Sequence, residues 1–355
     1  MRNQILLTLL ACSSFFVSVA QEDILLKDYD PISIYKTPRT IIEKAKFPVI
    51  DMHSHPYPTS EKEIEEWIRT MDVSGIEKTI LLTYRTGKVF DSIYNLYSKY
   101  EKRFDVWCGF DYTGYKNAGW SAKAIKELER CFEVGAKGVG ELGDKGAGLF
   151  YSSPTPAFGM HIDDERMKPL LKRCGELGMP INIHVAEPYW MYEKIDIHND
   201  GLMNASKWKI DTAKENLLLH SQLIHTLENA VREHPETTFI ASHFANCSYD
   251  LSIIGRLLET YPNLYADISA RYAETAPVPR YTKEFYQKHQ DKLLYGTDMG
   301  LEPSMYKVTF RILETEDEHF YEKSLFSYHW ALHGLGLPDD VLNKLYYENA
   351  KKIID

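Results

Sequence analysis

His53 and His55 lie one residue apart in the run VIDMHSH at 49–55. If that run is a strand, alternate side chains share a face and the two imidazoles converge on one point. Three more residues of compatible chemistry, His184, His243 and Asp298, each fall near the end of another short apolar run. Imidazole nitrogen and carboxylate oxygen together suit zinc or another borderline first-row divalent ion. Calcium prefers oxygen donors alone and is disfavoured. Gathering five ionisable side chains without a cation would carry a large desolvation cost, so a metal site is the expected reading.

These residues can meet only if the strand ends that carry them meet. Eight β-rich runs fall at 49–55, 78–84, 104–112, 136–143, 180–187, 238–245, 263–270 and 293–299. Helical periodicity occupies stretches between them, among them 61–75, 120–134, 163–177, 211–235 and 250–261. Gly75, Gly135 and Gly178 stand where helices should end before the next strand. Alternation of this kind predicts an α/β fold, a (β/α)8 TIM barrel, and 301–355 adds a C-terminal helical appendage. Such barrels build their active sites at the C-terminal ends of the strands, where His53, His184, His243 and Asp298 are expected. Asp51 shares the parity of His53 and is read as inward, one layer below it.

The loops after the strands should supply substrate contacts. Tyr189 and Trp190 open a long aromatic connection at 188–210 and are read as a wall or lid over the site. Arg271 lies four residues past Asp267 on the same face, placed to hold a substrate carboxylate with two parallel N–H groups. His329 and His333 are spaced four apart as on a helix, but no further ligand accompanies them. A surface or appendage role is expected there.

VIDMHSH, INIHVAE, SHFA, LLYGTDMG and YYENAKKII, in that order over roughly 47–355, resemble the amidohydrolase superfamily. Within it the chain is similar to the amidohydrolase-related family 2 branch, which includes aminocarboxymuconate-semialdehyde decarboxylase. The resemblance implies that His53, His55, His184 and Asp298 are metal ligands. It gives His243 as either a ligand to a second metal or a catalytic acid/base. The fourth run, GVGELG, looks like the strand of related deoxyribonuclease-like barrels whose glutamate bridges two metals, which implies a bridging role for Glu141; many family 2 members lack an acid there and work with one metal, which implies instead that Glu141 stands behind the ligands. On those residues the chemistry expected is hydrolysis of an ester, lactone or amide of a small organic molecule, with Asp298 as general base to a metal-activated water. The alternative is a one-zinc, non-oxidative decarboxylase, which needs no bridging acid. The cofactor is thus a divalent metal, zinc by preference, as one or two ions.

Residues 1–20 combine Arg2, an apolar run from Ile5 to Val19 and the small residues Ser18 and Ala20, and are read as an export signal cleaved before Gln21. The periplasm is the expected compartment. A lipid anchor on Cys12 is the rival reading. Residues 21–46 form an N-terminal extension and 47–355 the barrel domain. The 355-residue chain carries a net charge of −10, with 44% hydrophobic and 26% charged residues. That composition supports a large core, and the acidity argues against nucleic acid or anionic lipid as partners. A small-molecule substrate is expected, no later run is long enough to span a membrane, and a homo-oligomer is compatible with such a barrel. Cys108, Cys131, Cys174 and Cys247 form no C-x-x-C pattern and are read as buried thiols.

Overall fold

The computed structural model describes residues 25–150 and 156–355. The expected export signal, with its expected cleavage site before Gln21, and Cys12 lie outside the described residues. Leu26–Asp28 form one exposed 3-10 turn. Residues from Pro31 onward form a single compact unit.

Among the described residues, eight parallel strands alternate with eight helices of nine residues or more. The strands are β1 Val49–Ser54, β2 Ile76–Leu82, β3 Phe104–Trp107, β4 Val139–Asp144, β5 Ile181–Val185, β6 Phe239–Ala241, β7 Leu264–Asp267 and β8 Leu293–Leu294. The helices are α1 Glu61–Ser74, α2 Gly87–Tyr97, α3 Trp120–Val134, α4 Lys168–Glu176, α5 His220–Glu233, α6 Leu251–Thr260, α7 Pro279–Lys288 and α8 Pro303–Glu314. Parallel ladders join β1–β2–β3 and β4–β5–β6–β7–β8. Two seams close the circuit. Cys108 N donates to Gly138 O at 2.9 Å and Gly140 N to Cys108 O at 2.8 Å, linking β3 to β4. Met52 N donates to Tyr295 O at 2.9 Å and Asp298 N to His53 O at 2.8 Å, linking β8 to β1. The result is the (β/α)8 barrel, with a two-strand excursion, Gly148–Leu149 and Ala157–Phe158, after β4.

Local chemistry sets the helix ends. At the start of α1 the Ser60 hydroxyl accepts from Glu63 N while the Glu63 carboxylate accepts from Ser60 N, which satisfies two of the donors a helix start leaves open. Gly75 ends the helix in the left-handed region at φ 85°, a conformation that costs a glycine little.

Inside the barrel, Ile50, Met52, Ile80, Leu82, Trp107, Ile240 and Leu294 form a buried apolar cluster. Asn349–Ile354 close its floor: Ala350 joins the cluster and Asn349 Nδ2 donates to Leu293 O at 3.0 Å. The appendage is therefore helical at its two ends, while 315–338 between them is irregular. His329 and His333 sit in that irregular stretch rather than on a helix. His329 Nδ1 is 3.2 Å from Asn204 Oδ1, and His333 Nδ1 accepts from His319 N. The four cysteines are buried and free. Among the described residues no helix is long and apolar enough to cross a membrane.

Asp51 does not take the inward orientation that alternation predicts. Ile50 and Met52 face the interior, so Asp51 points the other way, where a Cβ on Gly300 would meet both Asp51 Oδ2 at 3.0 Å and the Tyr306 hydroxyl of α8 at 2.8 Å. The β1–β2 ladder shifts register between Asp51 and Ser54, which returns His53 to the interior. Asp51 instead ties β1 to the end of β8 by accepting from Thr297 N and Oγ1, at 3.0 and 2.6 Å.

The β3–β4 seam depends on a residue without a side chain. A Cβ on Gly138 would come within 2.5 Å of the Trp107 indole. Gly138→Ala should therefore destabilise the protein by about 1–3 kcal/mol in denaturant titration, the range for overpacking. A change below about 0.5 kcal/mol would contradict the tight seam.

Candidate active site

Five strand ends bring His53, His55, Glu141, His184, His243 and Asp298 together at the C-terminal mouth of the barrel. His53 Nδ1 lies 2.9 Å from Asp267 Oδ2, His55 Nδ1 2.8 Å from Leu82 O, and His243 Nδ1 2.8 Å from Ser269 O. Each acceptor calls for the N–H on Nδ1, so the Nε2 lone pair is what each ring offers inward. His184 is reversed: Nε2 meets Ala186 O at 2.9 Å, and Nδ1 faces the cluster.

Glu141 stands among these rings. Its Oε1 is 3.0 Å from His184 Nδ1, 3.2 Å from His243 Nε2 and 3.7 Å from His53 Nε2. Its Oε2 is 3.8 Å from His55 Nε2. On the other side, Asp298 Oδ1 is 3.1 Å from His55 Nε2 and 3.7 Å from His53 Nε2. Among the described residues, buried His53 Nε2 has no hydrogen-bond partner, and two groups of donor atoms are close enough to share an ion: His53, His55 and Asp298, and His53, Glu141 and His243. An orphaned lone pair beside two carboxylates fits a divalent cation. His184 falls in neither group and approaches the site through Glu141.

The electrostatics point the same way. Burial opposes a charge on His53, but Asp267, Glu141 and Asp298 outweigh it and carry the ring's pKa up to about 10, so a cation there would take the place of a proton on Nε2. Burial likewise opposes charge on Glu141, yet hydrogen bonds from His184 and His243 hold that carboxyl well below its usual range. Asp298 is lowered against its burial by His55 and His53. His243 goes the other way: burial lowers it, the Glu141 bond notwithstanding. The cluster thus holds two ionised acids whose negative potential would favour a cation.

Backbone geometry aims these groups. Asp298 at φ 67° and His243 at φ 58° adopt left-handed conformations just past β8 and β6. Gly296, in the GTD run before Asp298, has no room for a side chain, since a Cβ would sit 2.8 Å from that of His53.

Above the cluster opens a cavity of about 1040 Å³, lined among others by Tyr57, Tyr84, Trp208, Phe326 and the cations Arg85, Lys145, Lys207, Lys209 and Arg271.

A family model described as Amidohydrolase matches residues 111–355. The chain belongs to the amidohydrolase family. No curated protein matches. Among solved structures, a TIM-barrel protein from Bordetella bronchiseptica aligns at TM-score 0.52 and 14% identity, covering 86% of this chain and 98% of that one. A dihydroxybenzoic acid decarboxylase from a Polaromonas species, holding manganese and the inhibitor 2-nitroresorcinol, aligns at 0.53 and 14%, covering 87% and 97%. A 5-carboxyvanillate decarboxylase from Novosphingobium aromaticivorans, also with manganese, aligns at 0.52 and 14%, covering 89% and 99%. At these identities the likeness establishes the fold.

In this amidohydrolase Arg271 lines the cavity, as its parity suggests. Tyr189 and Trp190 do not. They line a separate cavity of about 650 Å³, where Tyr189 stacks on Tyr249 at 4.2 Å and Trp190 packs over Gly201. The residue of that loop turned to the cluster's cavity is Met191, followed later by Trp208 and Ile210. Sequence reasoning also passed over Lys145 and Glu187, which pair with each other, Glu187 lying 3.6 Å from His184 Nε2. Three residues beyond His184 in INIHVAE, an acid at the strand end was the available signal for Glu187.

The orientation of His53 rests on Asp267. Asp267→Asn should weaken divalent-metal affinity about 10–100-fold, as removal of a carboxylate behind a ligating histidine does. Competitive chelator titration would read it, and an unchanged affinity would remove Asp267 from the account.

Proposed function

We propose that this amidohydrolase is a divalent-metal-dependent enzyme that removes a carboxyl group, without oxidation, from a small aromatic or unsaturated acid. The observation that carries this reading is the cavity lining: five basic side chains against the three acids Glu141, Glu187 and Asp298, with aromatic walls, directly over the cluster. An anionic, planar substrate matches that lining in charge and in surface. The two manganese-holding decarboxylases among the solved relatives support it.

Bound between His53, His55 and Asp298, with Glu141, His184 and His243 alongside, a divalent ion would supply a positive charge that neutralises and orients the substrate's carboxylate. Nitrogen-rich donors favour zinc, and manganese is the other ion to assay. The residues do the remaining work. Basic side chains draw the acid in, and Tyr57, Tyr84, Trp208 and Phe326 exclude water from the reacting face. When the C–C bond breaks, carbon dioxide leaves and the electron pair remains on carbon. A proton must then reach that carbon, and His243 is assigned its delivery: Nε2 takes up a proton from solvent while Nδ1–H stays on Ser269, and the lowered pKa makes the charged ring a ready donor to the carbanion. Ser269 O and Oγ, both 2.8 Å from Nδ1, fix the ring.

A second reading, hydrolysis, is favoured by Glu141, which stands beside His184 and His243 and would be the shared carboxylate of a two-ion site. In that case Asp298 would take the proton of the attacking water. Export before Gln21 goes with either reading, and N-terminal sequencing tests it.

Metal-loaded protein assayed against benzoic and unsaturated acids, with lactones, esters and amides in parallel, separates the two reactions. Carbon dioxide release is expected, at about one metal per chain. His243→Ala should reduce it at least about 100-fold without loss of metal. Hydrolytic turnover without carbon dioxide, with occupancy near two falling toward one in Glu141→Gln, would replace decarboxylation with hydrolysis.

A further inference from the structure

Arg271 is a buried cation, 7% exposed, whose bonds are unevenly spent. Nε and Nη2 both donate to one atom, Asn246 Oδ1, at 2.9 and 2.6 Å. Nη1 donates once, to Ala270 O at 3.1 Å. A guanidinium has five N–H groups in a plane. Three are accounted for, which leaves one N–H on Nη1 and one on Nη2. A pair of donors on those two nitrogens is what grips a carboxylate with two bonds. Glu274 is the neighbouring acid, but it stands 3.7 Å from Nε, on the side already occupied. Arg271 lines the cavity over the cluster, and burying an open donor edge is costly unless an acceptor arrives there.

Asn246 sets this aim. Its Nδ2 donates to Val185 O at 3.0 Å and Ala186 O at 3.3 Å, so the amide is pinned to the end of β5 and its oxygen can only face Arg271. The residue itself is left-handed at φ 55°, a conformation asparagine tolerates better than most side chains.

We infer that Asn246 is a positioning residue that presents Arg271 as a clamp for a second carboxylate, so that the substrate carries two acidic groups, one over the metal cluster and one on Arg271. This rests on the carboxylate reading above, and the test separates the two.

Benzoate and isophthalate, which adds a second carboxylate meta to the first, are titrated calorimetrically into metal-loaded protein. Wild type should bind isophthalate at least about tenfold more tightly than benzoate. Asn246→Gly keeps the left-handed backbone and removes the amide, and Arg271→Lys keeps the charge and removes the fork. Each should cost isophthalate about tenfold with metal content unchanged, and Asn246→Gly should leave benzoate within about twofold. Equal affinities in wild type, or an isophthalate preference that survives in either variant, would overturn the clamp alone. Failure of wild type to bind either acid would overturn both the clamp and the carboxylate reading.

Discussion

Asp267, at the end of β7, is the acid on which the site's geometry depends. Fully buried, it accepts from His53 Nδ1 and Asn182 Nδ2 on one oxygen and from the backbone N of His243 and Ser269 and the Ser269 hydroxyl on the other. Those bonds join β1, β5, β6 and β7 to one carboxylate. An ionised group in such a place is tolerable only because it is so fully satisfied, and His53 and His243 hold its pKa well below the usual range even against burial. From it follow the orientation of His53, the anchoring of the turn that carries His243, and through Asn182 the Ser242 hydroxyl at 2.6 Å.

The rim of the barrel stores strain around that centre. Tyr84, Ala186, Ala270 and Asp298 are each left-handed just past a strand, and His243, Phe244, Ala245 and Asn246 are left-handed in succession. At roughly 1–2 kcal/mol per residue, a full turn of that hand needs compensation. It comes from Asp267 at one end, through His243 N, and from Asn246 at the other, through Val185 O and Ala186 O. The turn delivers two functional groups from one short segment: an imidazole into the cluster and an amide oxygen onto Arg271. A right-handed turn would carry both elsewhere.

All eight strands were legible in the sequence because each is a short apolar run between helical stretches, and α3 falls on its expected span. What was not legible lies where local pattern yields to tertiary geometry. The runs at 238–245 and 293–299 read as long strands, but β6 and β8 are only three and two residues long. Their remaining residues turn left-handed to aim His243 and Asp298. Strict alternation placed Asp51 inside, and a register shift next to His53 reversed it. Aromatic character suggested Tyr189 and Trp190 as a wall, but stacking on Tyr249 and packing on Gly201 hold them in another cavity. Asp267 was visible as an acid within an apolar strand, yet its partners come from strands distant in sequence, and no spacing rule joins them.

Anomalous diffraction from crystals soaked in manganese or zinc tests the central claim most directly. The account predicts a peak at bonding distance, about 2.0–2.2 Å, from His53 Nε2, His55 Nε2 and an Asp298 oxygen, with Asp267 still bonded to His53 Nδ1. No peak among these atoms at full soaking concentration, or density only at surface histidines, would contradict it.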